Sequence, residues 1–249
     1  MIAGVPGPLT AELTARAVIA HGIAELTFRM RSPERLAFRA GQFVSIAVPS
    51  TDATAEVLGS VPRRSYSIAS QSSAGDVLRF FIRVIPEGKA SDYLMELPLG
   101  TTVNMTGPHG FFILYAIHAG DIVFAATGTG IAAVMPMLGE LALRPARDRP
   151  RVLIFWGLRQ QSDIFARDEI ERLAAAIDAE LAIHLTAPGP GWTGQRGRIT
   201  PAVLDRLPQL QAPTFYLVGN GAMITELKRE LISRGVNRKT QIRTEAFFD

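Results

Sequence analysis

The second half of the chain alternates short apolar runs with segments of helical periodicity. Strands are predicted at 122–126, 152–156, 181–185, 215–218 and 242–246. Helices are predicted at 131–143, 168–180, 201–207 and 223–233, with Thr200 as the N-cap of the third. Such alternation is typical of a parallel sheet with helices on both faces.

The first half has a different pattern, in which short apolar runs are separated by turns. Strands are predicted at 17–20, 23–30, 43–48, 66–69, 78–85 and 102–105, and one helix at 91–97, capped by Ser91 or a neighbour of Lys89. This spacing favours an antiparallel β-barrel or a sandwich. We therefore predict two domains, an antiparallel barrel at 1–117 and an α/β parallel-sheet domain at 118–249.

Composition excludes several classes of protein. The 26 basic and 23 acidic residues leave a net charge of +3, which is too small to indicate nucleic-acid binding. There are no cysteines, so disulfides, thiolate zinc sites and cysteine-held iron–sulfur clusters are excluded within this chain, and no metal site is predicted.

Targeting and membrane signals are also weak. Residues 1–20 lack the features of a signal peptide, and the uncharged stretch 122–139 is interrupted by glycines and a proline. We expect no membrane span and a cytoplasmic protein.

Three glycine-containing turns follow predicted strands of the second half. The first contains Thr127, Gly128, Thr129 and Gly130; the second contains Gly219, Asn220 and Met223; the third contains Gly157 and Arg159. Glycine lets the backbone approach a ligand closely, and a helix N-terminus offers free N–H groups to an anion. Turns at the carboxyl ends of parallel strands would face one crevice and bind a nucleotide. Taken singly, each turn is also compatible with a tight connection that binds no ligand. Arg159 is also compatible with an ordinary solvent-exposed arginine.

Two segments of the first half could hold a second cofactor. Arg64, Ser65, Tyr66 and Ser67 place an arginine, an aromatic ring and hydroxyls along one strand, and we expect the arginine, ring and hydroxyl to share a face. They could bind a phosphate, stack on a flat ring and hydrogen-bond its edge. Gly88, Lys89, Ala90 and Ser91 form a turn that opens a helix, another candidate anion site. A half-buried strand and a plain helix cap remain the alternatives.

In this order, the segments resemble the ferredoxin–NADP reductase family, which includes reductase components of bacterial oxygenases. The resemblance runs from about Leu13 to Asp249 and includes Gly41-Gln42-Phe43-Val44, Arg64-Ser65-Tyr66-Ser67, Gly88-Lys89-Ala90-Ser91, Gly107-Pro108-His109-Gly110-Phe111-Phe112, Gly128-Thr129-Gly130-Ile131-Ala132, Gly219-Asn220-Gly221-Ala222-Met223 and Glu245-Ala246-Phe247-Phe248. It implies a flavin barrel followed by a nucleotide domain, with FAD and NAD(P)H as cofactors.

The resemblance also implies roles for individual residues. Arg64 would bind the flavin phosphate, Tyr66 would pack on the isoalloxazine ring, and Ser67 would lie near flavin N5. The turn Gly88–Ser91 would bind the pyrophosphate, and Phe247 and Phe248 would lie beside the flavin. Arg83 and Ser65 are also predicted to bind the cofactor. Ser67 and Glu245 are predicted to be catalytic. Glu245 would relay a proton or orient a group, and a solvated carboxylate is the alternative.

The predicted activity is electron transfer from NAD(P)H through FAD to a ferredoxin, a flavodoxin or an oxygenase component. The alternatives are a flavin-binding regulatory subunit with little turnover and a nucleotide-binding module without flavin. The chain departs from the family pattern at Ala133 and Val218, where proline and cysteine are usual. Thr186-Ala187-Pro188 replaces a Ser-Arg pair of NADP-using members, which favours NADH, although Arg159, Arg167, Arg196 or Arg198 could serve instead.

Overall fold

The computed structural model describes residues 9–48, 62–115 and 120–247. The chain divides into two compact units, Met1–Ile113 and Leu114–Asp249. The division lies a few residues before the predicted domain boundary, which itself falls within 116–119, outside the described residues.

The first unit is a six-stranded antiparallel sheet. Its strands are β1 Leu9–Ala20, β2 Ile23–Ser32, β3 Phe43–Ala47, β4 Arg63–Ser67, β5 Val77–Arg83 and β6 Thr102–His109, and its helix is α1 Lys89–Glu96. The strand order is β4-β3-β6-β1-β2-β5, and every pairing is antiparallel. The amide of Ala69, just after β4, donates to the carbonyl of Arg79 in β5 at 2.8 Å, so the two edges of the sheet meet.

The inner face of this curled sheet holds an apolar core. Phe28 and Phe80 are fully buried and meet edge to face, with ring centroids 5.9 Å apart. Alternation along the strands supplies this core, because every second side chain points inward. The predicted antiparallel barrel is confirmed.

The second unit is a six-stranded parallel sheet flanked by helices. Its strands are β7 Ile122–Thr127, β8 Val152–Leu158, β9 Glu180–Leu185, β10 Gln195–Arg196, β11 Thr214–Asn220 and β12 Ile242–Phe247. Its helices are α2 Ile131–Ala142, α3 Arg167–Ala175, α4 Ile199–Arg206, α5 Gly221–Ser233 and α6 Arg238–Gln241. The strand order is β10-β9-β8-β7-β11-β12, with every pairing parallel.

Helices cover both faces of the parallel sheet, as predicted. Phe155 packs in one core cluster with Ile199 of α4 and Leu227 of α5. Its neighbour Trp156 points to the other face and meets Phe165, which precedes α3, at 5.2 Å between ring centroids. Because successive side chains of a strand point to opposite faces, one strand anchors both helical layers.

Several predicted helix ends differ from the structure. Helix α4 begins after Arg198, so Thr200 lies inside its first turn rather than capping it. Helix α1 begins at Lys89 rather than at 91, so Ser91 lies inside it, and its N-cap is Gly88, which confirms the alternative of a cap at a neighbour of Lys89. Helix α3 ends at Ala175 rather than continuing to 180, because Asp178 adopts a positive φ of 53° and β9 begins at Glu180. In the described part of the chain, no helix has the length and apolar character needed to cross a membrane.

Candidate functional site

The carboxyl ends of β7 and β11 lie side by side at the point where the strand order reverses. After β7 the chain adds strands on one side, through β8, β9 and β10, and then crosses back to place β11 on the other. In doubly wound sheets this topological switch point is where ligands bind. The turns Thr127–Gly130 and Gly219–Met223 follow these two strands, so the structure brings two predicted motifs together.

The two turns are in direct backbone contact. Thr127 Oγ1 accepts a hydrogen bond from the amide of Asn220 at 2.8 Å. A Cβ on Gly219 would lie 2.5 Å from the Thr127 carbonyl oxygen, and one on Gly130 would lie 2.9 Å from the Val218 carbonyl oxygen. These glycines therefore allow close packing between the turns. Gly128 differs, since its φ is +55° and a Cβ would meet nothing within 4 Å. Its role is conformational, and it leaves an open approach to the turn.

A third strand supports the first turn through a residue that the sequence interpretation missed. The indole N–H of Trp156, at the end of β8, donates to the carbonyl oxygen of Gly128 at 2.9 Å. Trp156 is fully buried, so it holds the turn rigidly. Its position one residue before Gly157 was the available signal, although the structure places Gly157 inside β8 and not in the predicted third turn. A Cβ on Gly157 would lie 3.1 Å from Ile199 and 3.3 Å from Thr127, so this glycine too fits a tightly packed position.

The second turn is also a helix cap. The Asn220 side-chain oxygen accepts a hydrogen bond from the Met223 amide at 3.1 Å, which makes Asn220 the N-cap of α5. The helix starts at Gly221, two residues before the predicted start. Asn220 satisfies one of the free N–H groups of the first turn, while the positive end of the helix dipole remains directed at the crevice.

Arg159 lies just beyond β8 and is exposed. Its carbonyl oxygen accepts a hydrogen bond from the Ala187 amide at 2.8 Å, which joins the loops after β8 and β9. The other arginines considered for a phosphate have partners. Arg167 pairs with Glu171 at 2.7 Å, Arg198 with Glu226 at 3.6 Å, and Arg196 donates to the Trp192 carbonyl oxygen at 3.0 Å.

In the first unit, strand β4 carries the predicted ring-stacking motif. Val44 is opposite Tyr66 and Ile46 opposite Arg64 in the register with β3, so Arg64 and Tyr66 share a face. Ser65 is on the other face, where its hydroxyl lies 3.1 Å from that of Ser45, and Ser67 has the same parity as Ser65. The expectation that arginine, ring and hydroxyl would share one face is therefore wrong for Ser67.

Tyr66 is partly buried against the barrel core, with its ring centroid 6.4 Å from that of Phe80. Burial raises the pKa of the Tyr66 phenol to about 12, although the Arg64 charge opposes this by favouring the phenolate. The phenol is neutral at physiological pH. Arg64 itself is exposed, with one N–H donated to the Arg63 carbonyl oxygen at 3.0 Å.

The turn before α1 is stabilised by hydrogen bonds between the Ser91 hydroxyl and backbone groups of the turn. The Ser91 hydroxyl lies within donating distance of the Gly88 carbonyl oxygen at 2.9 Å and of the Ile85 carbonyl oxygen at 3.1 Å, and it accepts from the Ile85 amide at 3.2 Å. A Cβ on Gly88 would lie 2.8 Å from both Ile85 O and Ser91 Oγ. The N-cap Gly88 makes no side-chain cap hydrogen bond, so the N-terminus of α1 is a candidate anion site.

The remaining predicted residues lie at strand ends. Glu245 and Phe247 belong to β12 and are half-buried, opposite Val218 and Asn220 of β11 in register. Arg83 ends β5 and is exposed. Phe248 lies outside the described residues. Within the ranges that the structure describes, no three acidic or histidine side chains are grouped so that they could hold a metal ion.

Comparison with known proteins agrees with this geometry. Residues 10–113 match the family described as the oxidoreductase FAD-binding domain, and residues 124–229 match the oxidoreductase NAD-binding domain. Ferredoxin–NADP reductase B of Sorangium cellulosum (strain So ce56) is 32% identical over 241 residues, which cover 93% of this chain and 95% of that protein. The chain belongs to the ferredoxin–NADP reductase family. It is a two-domain oxidoreductase with FAD and NAD(P)H as its cofactors.

Other members of the family are longer. The reductase component of phenol 2-monooxygenase from Pseudomonas sp. (strain CF600) is 29% identical, and the match covers 66% of this chain but 45% of that protein. The Amycolatopsis cytochrome P450 reductase GcoB has a crystal structure that superposes with a TM-score of 0.83 at 27% identity, covering 97% of this chain and 70% of that one. The chain thus spans about half to two thirds of several oxygenase reductase components.

The two departures from the family pattern are buried. Ala133 and Val218 are both fully buried, Ala133 in the first turn of α2 and Val218 in β11. The carbonyl of Val218 is the group that approaches Gly130. Both are buried packing residues, and Val218 lies against the first turn.

Proposed function

We propose that this family member passes electrons from NAD(P)H through FAD to a separate one-electron protein acceptor, such as a ferredoxin, a flavodoxin or an oxygenase component. The two adjoining turns at the β7/β11 switch point carry the proposal, because they form a candidate nucleotide-binding crevice in a chain that also has a domain of the FAD-binding family. In this proposal the acceptor carries its own redox centre, and this sequence itself contains no cysteine to hold an iron–sulfur cluster.

The residues of the barrel fit a bound flavin. FAD, when bound, accepts a hydride from NAD(P)H and releases the electrons one at a time to the acceptor. Arg64 would neutralise phosphate charge, and the neutral Tyr66 ring on the same face would pack against the flavin. The turn Gly88–Ser91, at the N-terminus of α1, would bind the pyrophosphate. Ser65, Ser67 and Arg83 are proposed to complete this site.

The parallel-sheet domain would hold the nicotinamide nucleotide. The turn Thr127–Gly130 and the N-terminus of α5 at Asn220 would bind its phosphates. Gly157, Gly219 and Met223 would shape the crevice. Glu245, beside β11, is proposed to hold or relay a proton, with Phe247 and Phe248 beside the flavin.

We further propose a preference for NADH. Thr186 and Ala187, at the end of β9, are uncharged. Arg167, Arg196 and Arg198 are engaged elsewhere, which supports this preference. Kinetics with both nucleotides would test it, with a higher kcat/KM for NADH expected. A higher kcat/KM for NADPH would contradict it and would indicate Arg159.

The decisive experiment is rapid anaerobic mixing of the FAD-loaded chain with NADH or NADPH, followed at the flavin absorbance. Bleaching is expected. Binding of FAD without bleaching by either nucleotide would favour a regulatory subunit, and failure to bind FAD would favour a nucleotide module without flavin. Arg64→Ala should weaken FAD binding, whereas Arg63→Ala on the same strand is the matched control. The predicted cytoplasmic location would be tested by fractionation of expressing cells.

A further inference from the structure

A basic groove lies on the surface of the second unit, between α5 and α6. It has a volume of about 410 Å³ and is lined by Ile224, Thr225, Lys228, Arg229, Ile232 and Arg238. Ile224, at 6% exposure, is its deepest apolar residue, and Ile232, at 40% exposure, is its most open one. The groove therefore combines an apolar surface with three cationic side chains.

The charge of this region is unusual for the chain. Residues 221–241 contain five lysines and arginines but only Glu226 and Glu230, a net charge of +3. That equals the net charge of the whole chain, so the remaining 228 residues are balanced. Concentrated charge of one sign steers a partner of the opposite sign.

The local carboxylates neutralise one of the three cationic side chains of the groove, Arg229. Glu226 pairs with Arg198, and Glu230 pairs with Arg234 and Arg229. In the ranges 9–48, 62–115 and 120–247, no carboxylate forms an ion pair with Lys228 or Arg238. These two cations on either side of the groove are available to a ligand.

We propose that this groove docks an acidic, amphipathic segment of the electron-accepting protein. Charge complementarity supports an acidic partner, and the concave apolar surface at Ile224 and Ile232 fits side chains that protrude from a peptide better than it fits a flat membrane. The inference rests on the proposed function, because it assumes a separate protein acceptor. Ile232 lies 12 residues along α5 from Asn220, about 18 Å, so a docked segment leaves the nucleotide turn open.

The test is binding of a fluorescein-labelled amphipathic peptide of glutamate and leucine to the FAD-loaded chain, measured by anisotropy. Lys228→Glu/Arg238→Glu should weaken binding at least tenfold, because each reversal replaces an attraction with a repulsion. Arg147→Glu/Arg172→Glu changes the net charge equally on other exposed positions and should leave the Kd within about twofold. Ile232→Ser should weaken binding at unchanged charge.

Three outcomes would overturn the proposal: no peptide binding by the wild-type chain, equal loss in both double variants, or binding to phosphatidylserine vesicles without binding to the peptide. Oxidation of NAD(P)H with ferricyanide, a small acceptor, should be unchanged in Lys228→Glu/Arg238→Glu. That readout separates failure of the docking groove from failure of the proposed electron transfer, since only the latter would abolish ferricyanide reduction.

Discussion

Replacing Gly219 with alanine tests whether the two nucleotide turns depend on close backbone packing. The new Cβ would lie 2.4 Å from Thr127 Oγ1 and 2.5 Å from the Thr127 carbonyl oxygen, and the residue has a φ of +112°. The positive φ costs an alanine about 1–2 kcal/mol, and overpacking adds about 1–3 kcal/mol. We expect Gly219→Ala to destabilise the second unit by about 3 kcal/mol or more.

Gly197→Ala provides a matched control. Gly197 has a similar φ of +93°, but a Cβ there would meet nothing within 4 Å. Gly197→Ala should therefore lower the stability only by the cost of the positive φ, about 1–2 kcal/mol. The difference between the variants, about 2 kcal/mol, measures the contact with Thr127. Adding Thr127→Ala to Gly219→Ala should not restore stability fully, because the carbonyl oxygen remains in place.

Tryptophan fluorescence is the assay, because both tryptophans of the chain, Trp156 and Trp192, lie in the second unit. Urea unfolding followed by this signal reports that unit alone. With an m-value of about 2 kcal/mol/M, the midpoints of the two variants should differ by about 1 M. Gly219→Ala should also raise the KM for the nicotinamide nucleotide. Equal midpoints for Gly219→Ala and Gly197→Ala would refute the packing argument.

Three further predictions concern single groups. Thr127→Val removes the acceptor of the Asn220 amide and leaves that N–H unpaired, so urea unfolding should show a loss of about 1–3 kcal/mol; no loss would contradict the role of this bond. Gly88→Ala forces its Cβ against Ile85 O and Ser91 Oγ, so FAD affinity should fall about tenfold in a fluorescence titration, whereas Gly100→Ala, in an open turn, should not change it. Burial lowers the pKa of His184, whose buried Nδ1 has no hydrogen-bond partner among the described residues, so stability should fall as the pH drops below about 6.5; His184→Leu should remove this dependence, and an unchanged pH profile would count against it.

The sequence predicted the architecture well because periodicity reports burial directly. The alternation of strands and helices from Ile122 onward identified the parallel sheet, and the glycine turns at Gly128 and Gly219 located the switch point. Both signals are local, so no long-range information was needed. The match to FAD-binding and NAD-binding domains confirms the overall interpretation.

Features that depend on register or tertiary contact could not be predicted as well. The face of Ser67 did not depend on register, because Ser67 directly follows Tyr66 and strand alternation alone places the two side chains on opposite faces. The support from Trp156 to Gly128 joins two strands and depends on their order in the sheet. Thr200 was predicted to be an N-cap, but α4 begins at Ile199, two residues earlier than predicted, where Ile199 packs against Gly157.

Some missed features did have local signals. Asn220 lies three residues before Met223, whose amide it caps. Asn237 caps the short helix α6 by accepting from the Lys239 and Thr240 amides. Both are the asparagine N-caps expected at a helix start. Each asparagine marks in the sequence the residue directly before a helix start.

The strand order also dictates when each half can mature during synthesis. The barrel sheet needs nothing beyond His109, where β6 pairs with β1 and β3. The crevice, in contrast, requires Thr127 to meet Asn220, which is 93 residues further along the chain. Because contacts between distant residues form late, a nascent chain would complete its flavin half well before its nicotinamide half, and β7 would wait with one edge uncovered until β11 emerged from the ribosome.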